Sequence, residues 1–113
     1  MLLTNRPVEF LGDALAALRV FPADARRSAG HQTDRVQRGL EPDDWKPMPT
    51  VGAGVREIRI HEATGAFRVI YLARFAEVVF VLHCFQKKGR RTARPDLDLA
   101  KARYRQLRSE RRG

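Results

Sequence analysis

Four cations, Lys87, Lys88, Arg90 and Arg91, fall within six residues at the end of "FVLHCFQKKGRR", directly after a run that is almost wholly apolar. Two more sit inside apolar stretches upstream, Arg59 in "VREIRIH" and Arg68 in "FRVIYL". Ammonium and guanidinium groups bind phosphate oxygens, and the planar guanidinium fork can clamp two at once. If these stretches are neighbouring strands, Arg59, Arg68, Lys87 and Lys88 converge on one sheet surface or its edge. The complement of such a cluster is a phosphodiester backbone. An ordinary alternative carries equal weight: Arg68 can pair with Glu57 across a hairpin as a cross-strand ion pair.

The charge distribution agrees with a polyanionic partner. The chain of 113 residues carries a net +9. From Lys87 to Gly113 eleven Lys or Arg face three acids, which places +8 of that charge in the last quarter. So concentrated a field attracts phosphates, acidic proteins or anionic lipid.

Several other chemistries are not supported. One cysteine, Cys84, precludes an internal disulfide and a cysteine-rich zinc site, and its apolar surroundings suit a small buried hydrophobe. His31, His61 and His83 have no metal-ligand spacing, so neither metal nor cofactor is expected. "GAG" at 52–54 is too short for a phosphate loop, the strands hold no paired acids, and Ser28 and Ser109 lack a nearby base. His83 reads as a hydrogen-bonded structural residue. No stretch has the roughly 18 apolar residues of a membrane span, and "MLLTNRP" is too short for a signal-peptide core, so a cytoplasmic protein is expected.

The elements that must position these residues form an α+β domain, with two N-terminal helices, a small, mostly antiparallel sheet of about four strands, and a C-terminal helix. The first helix spans about 13–20 with Leu15 and Leu18 inward, and Pro22 ends it. The second spans about 23–38, with Ala25, Ala29, Gln32 and Val36 on one face and Gly39 as its cap. Prolines restrict 45–48 to an edge strand. Residues 51–85 read as a three-strand meander in which Ile58 and Ile60 point one way and Glu57, Arg59 and His61 the other. Leu97, Ala100, Tyr104 and Leu107 stripe the final helix. The chain is expected to form a single domain over 1–113, with loose ends at 1–8 and 108–113.

Taken as a set, "FLGDALAALRVFP", "VQRGLEPDDWKPMPTVGAGVREIR", "GAFRVIYLARFAEVVFVLHCFQKK" and "DLDLAKARYRQL" resemble the phage-derived Gp49-like proteins, a HigB-type branch of the RelE/ParE toxin superfamily. The resemblance covers about residues 9–107. It implies a RelE-like fold and the toxin of a type II toxin–antitoxin system, in which a helix-turn-helix antitoxin of the HigA kind neutralises the toxin and represses the operon. It also implies a metal-independent, ribosome-dependent mRNA endoribonuclease. The family's basic cleft maps onto Arg68, Lys87 and Lys88 by motif and onto Arg59 by strand and face. Arg56, Arg90, Arg91 and Arg94 are the further RNA contacts expected.

Metal-free RNA cleavage requires an activated 2′-hydroxyl, a stabilised pentavalent phosphate and a protonated leaving 5′-oxygen. Fixed cations supply the second. Crowding among the four cations would bring a lysine into range for proton transfer, and Glu57, His61 and Tyr71 are alternative proton carriers. Some relatives carry a tyrosine early in the last helix, where this chain has Arg94-Pro95, so the base stays unassigned. Two competing functions remain: a ParE-like gyrase-binding toxin, and a non-catalytic phage-derived RNA-binding protein. Expected partners are the antitoxin, the ribosome and mRNA, with no membrane. Direct sequence-specific DNA contact is not expected of a chain with no helix-turn-helix of its own.

Overall fold

The computed structural model describes residues 5–112. Its elements run β1 (Val8–Phe10), α1 (Ala14–Arg19), α2 (Ala23–Gln37), β2 (Trp45–Pro47), β3 (Val55–Glu62), β4 (Gly65–Leu72), β5 (Val79–Lys87) and α3 (Arg94–Arg112). The sheet order is β1-β5-β4-β3-β2. β1 lies parallel to β5, and every other pairing is antiparallel.

Alternation along the strands gives the sheet two apolar faces. Ile58, Ile60, Phe67, Val69, Val81 and Cys84 point to one, where Ala14, Leu18, Phe21, Ala25 and Ala29 of the α1–α2 layer close over them. Small alanines let those helices approach closely, and the Phe21 ring meets Phe67 at 4.8 Å. Val55, Ile70, Leu72, Phe80, Leu82 and Phe85 point to the other, under Ala100, Tyr104 and Leu107 of α3. This is an α-layer, sheet, α-layer sandwich.

The helix signals act as expected, with Pro22 standing just before α2 and Gly39 ending it at φ +83°. In α1, Ala14 and Leu18 are the buried pair, while Leu15 is only half-buried. The expected four strands are joined by a fifth. β1 begins at Val8, the last residue of the segment expected to be loose, and Arg6 just ahead of it is hydrogen-bonded. Its Nη1 donates to the carbonyls of Ala73 and Phe75, both at 2.8 Å, and its Nη2 to that of Val36 at 2.7 Å. The expectation of looseness for 1–4 and 113 lies outside the described residues. At the other end α3 continues through residue 112, and Arg111 binds Glu77 at 2.6 Å and covers the Phe75 ring at 4.1 Å. Among the described residues no helix is long and apolar enough to cross a membrane.

Candidate nucleic-acid interface on the open end of the sheet

α3 begins only after the loop that follows β5, so the end of the sheet near that loop extends beyond the helix's apolar stripe. Register places three residues from each of three strands there, on the α3 side. Glu57, Ile70 and His83 form the innermost row, Arg59, Arg68 and Phe85 the middle row, and His61, Ala66 and Lys87 the outermost. With strands about 4.8 Å apart and same-face residues about 6.8 Å apart, the grid spans roughly 10 by 14 Å. That is enough for one or two nucleotides. Exposure rises outward: Glu57 is 1% exposed and Arg68 3%, Arg59 is half-buried, and His61 is open.

The pairing left open by the sequence is made. Arg68 Nε lies 3.5 Å from Glu57 Oε1, while its Nη1 donates to the Phe67 carbonyl at 3.0 Å. Burial pushes the Arg68 pKa down, Glu57 acts against that, and Arg59 adds to it. Glu57 Oε2, Arg59 Nε and Arg68 Nε have no hydrogen-bond partner among the described residues, so this network is only part-satisfied. His83 Nε2 meets Asp96 Oδ1 of α3 at 2.7 Å and stacks on Phe85, which ties the innermost row to the first turn of the helix. This agrees with its expected structural role.

Lys87 does not join the arginines. Its Nζ donates to the carbonyls of Gly89 and Arg90, at 2.6 and 2.5 Å, folding the loop back on itself around Gly89 at φ +115°. That fold leaves Lys88, Arg90, Arg91 and Arg94 exposed beside the grid. Arg94 has only a loose 3.7 Å approach to Asp98. Lys87 shapes the basic loop, and its neighbours carry the free charge.

The family described as phage derived protein Gp49-like (DUF891) matches residues 16–105. The chain belongs to that Gp49-like family. Among solved structures it is similar to an arginine-to-alanine double mutant of the E. coli toxin RelE in the free state, with a TM-score of 0.54 and 19% identity over 73% of this chain and 83% of that one. This likeness establishes a RelE-like fold. Among curated proteins, none matches.

Two of the expected site residues of this Gp49-like chain lie on the wrong side of the sheet for the grid. Arg56 and Tyr71 are register partners on the α1–α2 side, Arg56 against the Trp45 ring at 4.1 Å and Glu41 at 2.9 Å. Tyr71 is 1% exposed, and burial raises its pKa. Alternation alone separates both from Arg59 and Arg68, since residues an odd number apart on a regular strand face opposite ways. Sequence reasoning missed the Asp96 partner of His83. It also missed the bulge at Leu82 that turns Leu82 and His83 to the same side, and no residue in "VLHC" announces either. Cys84 is buried with its thiol pushed up to about 12 by burial, an inert apolar residue as expected.

Proposed function

We propose that this chain is the toxin of a type II toxin–antitoxin pair and acts as a metal-independent, ribosome-dependent mRNA endoribonuclease, neutralised by a helix-turn-helix antitoxin of the HigA kind. The observation that carries the reading is the grid: a buried carboxylate, two guanidiniums, an open imidazole and a basic loop on one bare end of a RelE-like sheet. In this scheme Lys88, Arg90, Arg91 and Arg94 hold the RNA backbone, and Arg59 contacts the scissile phosphate. Arg68 lies beneath, fixing Glu57 and adding positive potential as charge builds on the pentavalent phosphorus. Glu57, with an unpartnered oxygen, takes the 2′-hydroxyl proton once the half-buried Arg59 side chain turns aside. His61 sits at the far end of the same strand face and returns a proton to the leaving 5′-oxygen. Lys87 keeps the loop in place.

Expression of the chain should arrest growth, and primer extension on cellular transcripts should reveal new 5′ ends within codons. Arg59→Ala should lose both effects and Lys88→Ala should weaken them, each retaining fold and antitoxin binding. Intact transcripts accompanied by an SOS response would instead establish gyrase as the target. One feature favours that second reading: a hollow of about 380 Å³ where Leu72, Phe75, Tyr104 and Leu107 are rimmed by arginines, a surface suited to a protein.

A further inference from the structure

The α1–α2 side of the sheet holds a second polar site that the reaction face does not use. Between the end of α2, the start of β3 and the turn after β4 lies a cavity of about 200 Å³, lined by Arg6, Leu40, Glu41, Arg56, Tyr71 and Arg74. The Tyr71 hydroxyl is buried and has no hydrogen-bond partner among the described residues. Tyr71 itself lines the cavity beside Arg56 and Glu41, and the Arg56 guanidinium is the charged group nearest the phenol. A buried hydroxyl left without a partner is costly unless something supplies one.

The other lining groups indicate what that is. Three arginines and one glutamate line it, so the lining is net positive, and Arg74 borders the α3-side hollow as well. Arg6 spends three N–H groups on carbonyls and keeps two. Arg56 gives Nη1 to Glu41, whose side chain is 60% exposed, an open pair of little strength, and its guanidinium also lies on the Trp45 ring. Arg74 has no carboxylate within ion-pair distance among the described residues. Donors thus approach from β3, β4, the turn and the N-terminal segment. A tetrahedral anion, with oxygens pointing out of any one plane, matches donors spread over so many directions better than a planar carboxylate does.

We infer that this cavity binds a phosphate group, either as the free anion or as a monoester, on the sheet face opposite the proposed reaction surface. Calorimetric titration at constant ionic strength tests it with inorganic phosphate in one arm and a nucleoside 5′-monophosphate in the other. Saturable binding at one site per chain is expected in at least one arm, and the tighter arm identifies the source. Tyr71→Phe keeps the ring and removes only the hydroxyl, and Arg74→Ala removes an exposed guanidinium without touching the core. Each should weaken binding about tenfold or more. Arg105→Ala, an exposed cation on α3, should bind as the parent chain does and serves to subtract diffuse attraction. Should Tyr71→Phe fail to fold by circular dichroism, Arg74→Ala still decides. Binding that never saturates, or that Arg74→Ala and Arg105→Ala reduce alike, overturns the site. Competition by acetate as strong as by phosphate overturns the preference for a tetrahedral anion.

Discussion

The two faces of the sheet solve the same problem differently. On the α1–α2 side the interior is closed by the apolar Ala14, Ala25, Ala29, Phe21 and Phe67 together with Tyr71, and the polar side chains it buries, Gln32 and Thr33, are uncharged. The α3 side buries Ile70, Leu72 and Phe80 as well, but sets Glu57, Arg68 and His83 among them at 1, 3 and 6% exposure. Desolvating such charges offsets most of their mutual attraction, so a fold seeking stability alone has no need of the pair. One face is built for cohesion, and the other gives up some cohesion to keep charge in a fixed place.

The largest effect should come from breaking that pair. Glu57→Ala or Arg68→Ala leaves one buried charge uncompensated and should cost about 3–5 kcal/mol in chemical denaturation. Replacing both at once with methionine should recover most of the loss. The same double variant should remain unable to arrest growth, which separates a functional pair from a structural one. If it keeps toxicity, the charge difference between the faces has no bearing on function. Arg68→Ala alone is a poor test of catalysis, because at 3% exposure its effect on folding comes first.

How much of this the sequence discloses depends on whether the deciding force is local. Alternation along "VREIRIHE" places Glu57, Arg59 and His61 together and Ile58 with Ile60, because the strand is regular and half-covered. Pro22 and Gly39 mark helix ends because their backbone preferences act within a residue or two. β1 is different. Its three residues have no pattern of their own, and their strand conformation comes from the parallel edge of β5, about seventy positions away. The candidate site is legible as a face and not as a network. Strand parity assigns Arg59 and Arg68 to one side, but the burial of Arg68, the His83–Asp96 contact and the folding back of Lys87 arise only once α3 and its loop are in place.

A smaller effect should follow from closing the gap beneath α3. A Cβ on Gly52 would clash with the ring of Tyr104, itself 5% exposed and bonded through its hydroxyl to the Ala53 carbonyl at 3.2 Å. Gly52→Ala should therefore cost about 1–3 kcal/mol through overpacking. Amide exchange should quicken along α3 and stay unchanged along α2. Uniform loss on both sides would mean that the faces do not yield independently.

The basic loop sharpens the contrast without touching stability. Lys88→Ala, Arg90→Ala and Arg91→Ala should each reduce the slope of log affinity against log salt by about 0.7 on single-stranded RNA, one released counterion apiece. Arg27→Ala, an exposed cation of α2 outside both proposed sites, should leave that slope unaltered. Equal slopes for all four variants would place RNA around the whole molecule rather than on one side.

The smallest effect concerns acid. Asp13, at the start of α1, is held below its ordinary 3.8 by the hydrogen bond it accepts from Arg103, and Glu77 below 4.5 by the one it accepts from Arg111, so both lowered carboxylates hold residues of α3. On the opposite side Asp24 is lowered too, chiefly by its bond from Thr64. A depressed carboxylate contributes stability above its unfolded pKa, and that contribution disappears as pH falls through the folded value. All three are solvent-exposed, so each effect is small, yet two hold α3 and one belongs to α2. Amides of α3 should therefore lose protection ahead of those of α2 as pH drops below about 4. Arg103→Met should flatten that pH dependence for α3 and leave α2 as it was. If α2 opens first, the acid-sensitive side of the sheet is the one that appears the more cohesive.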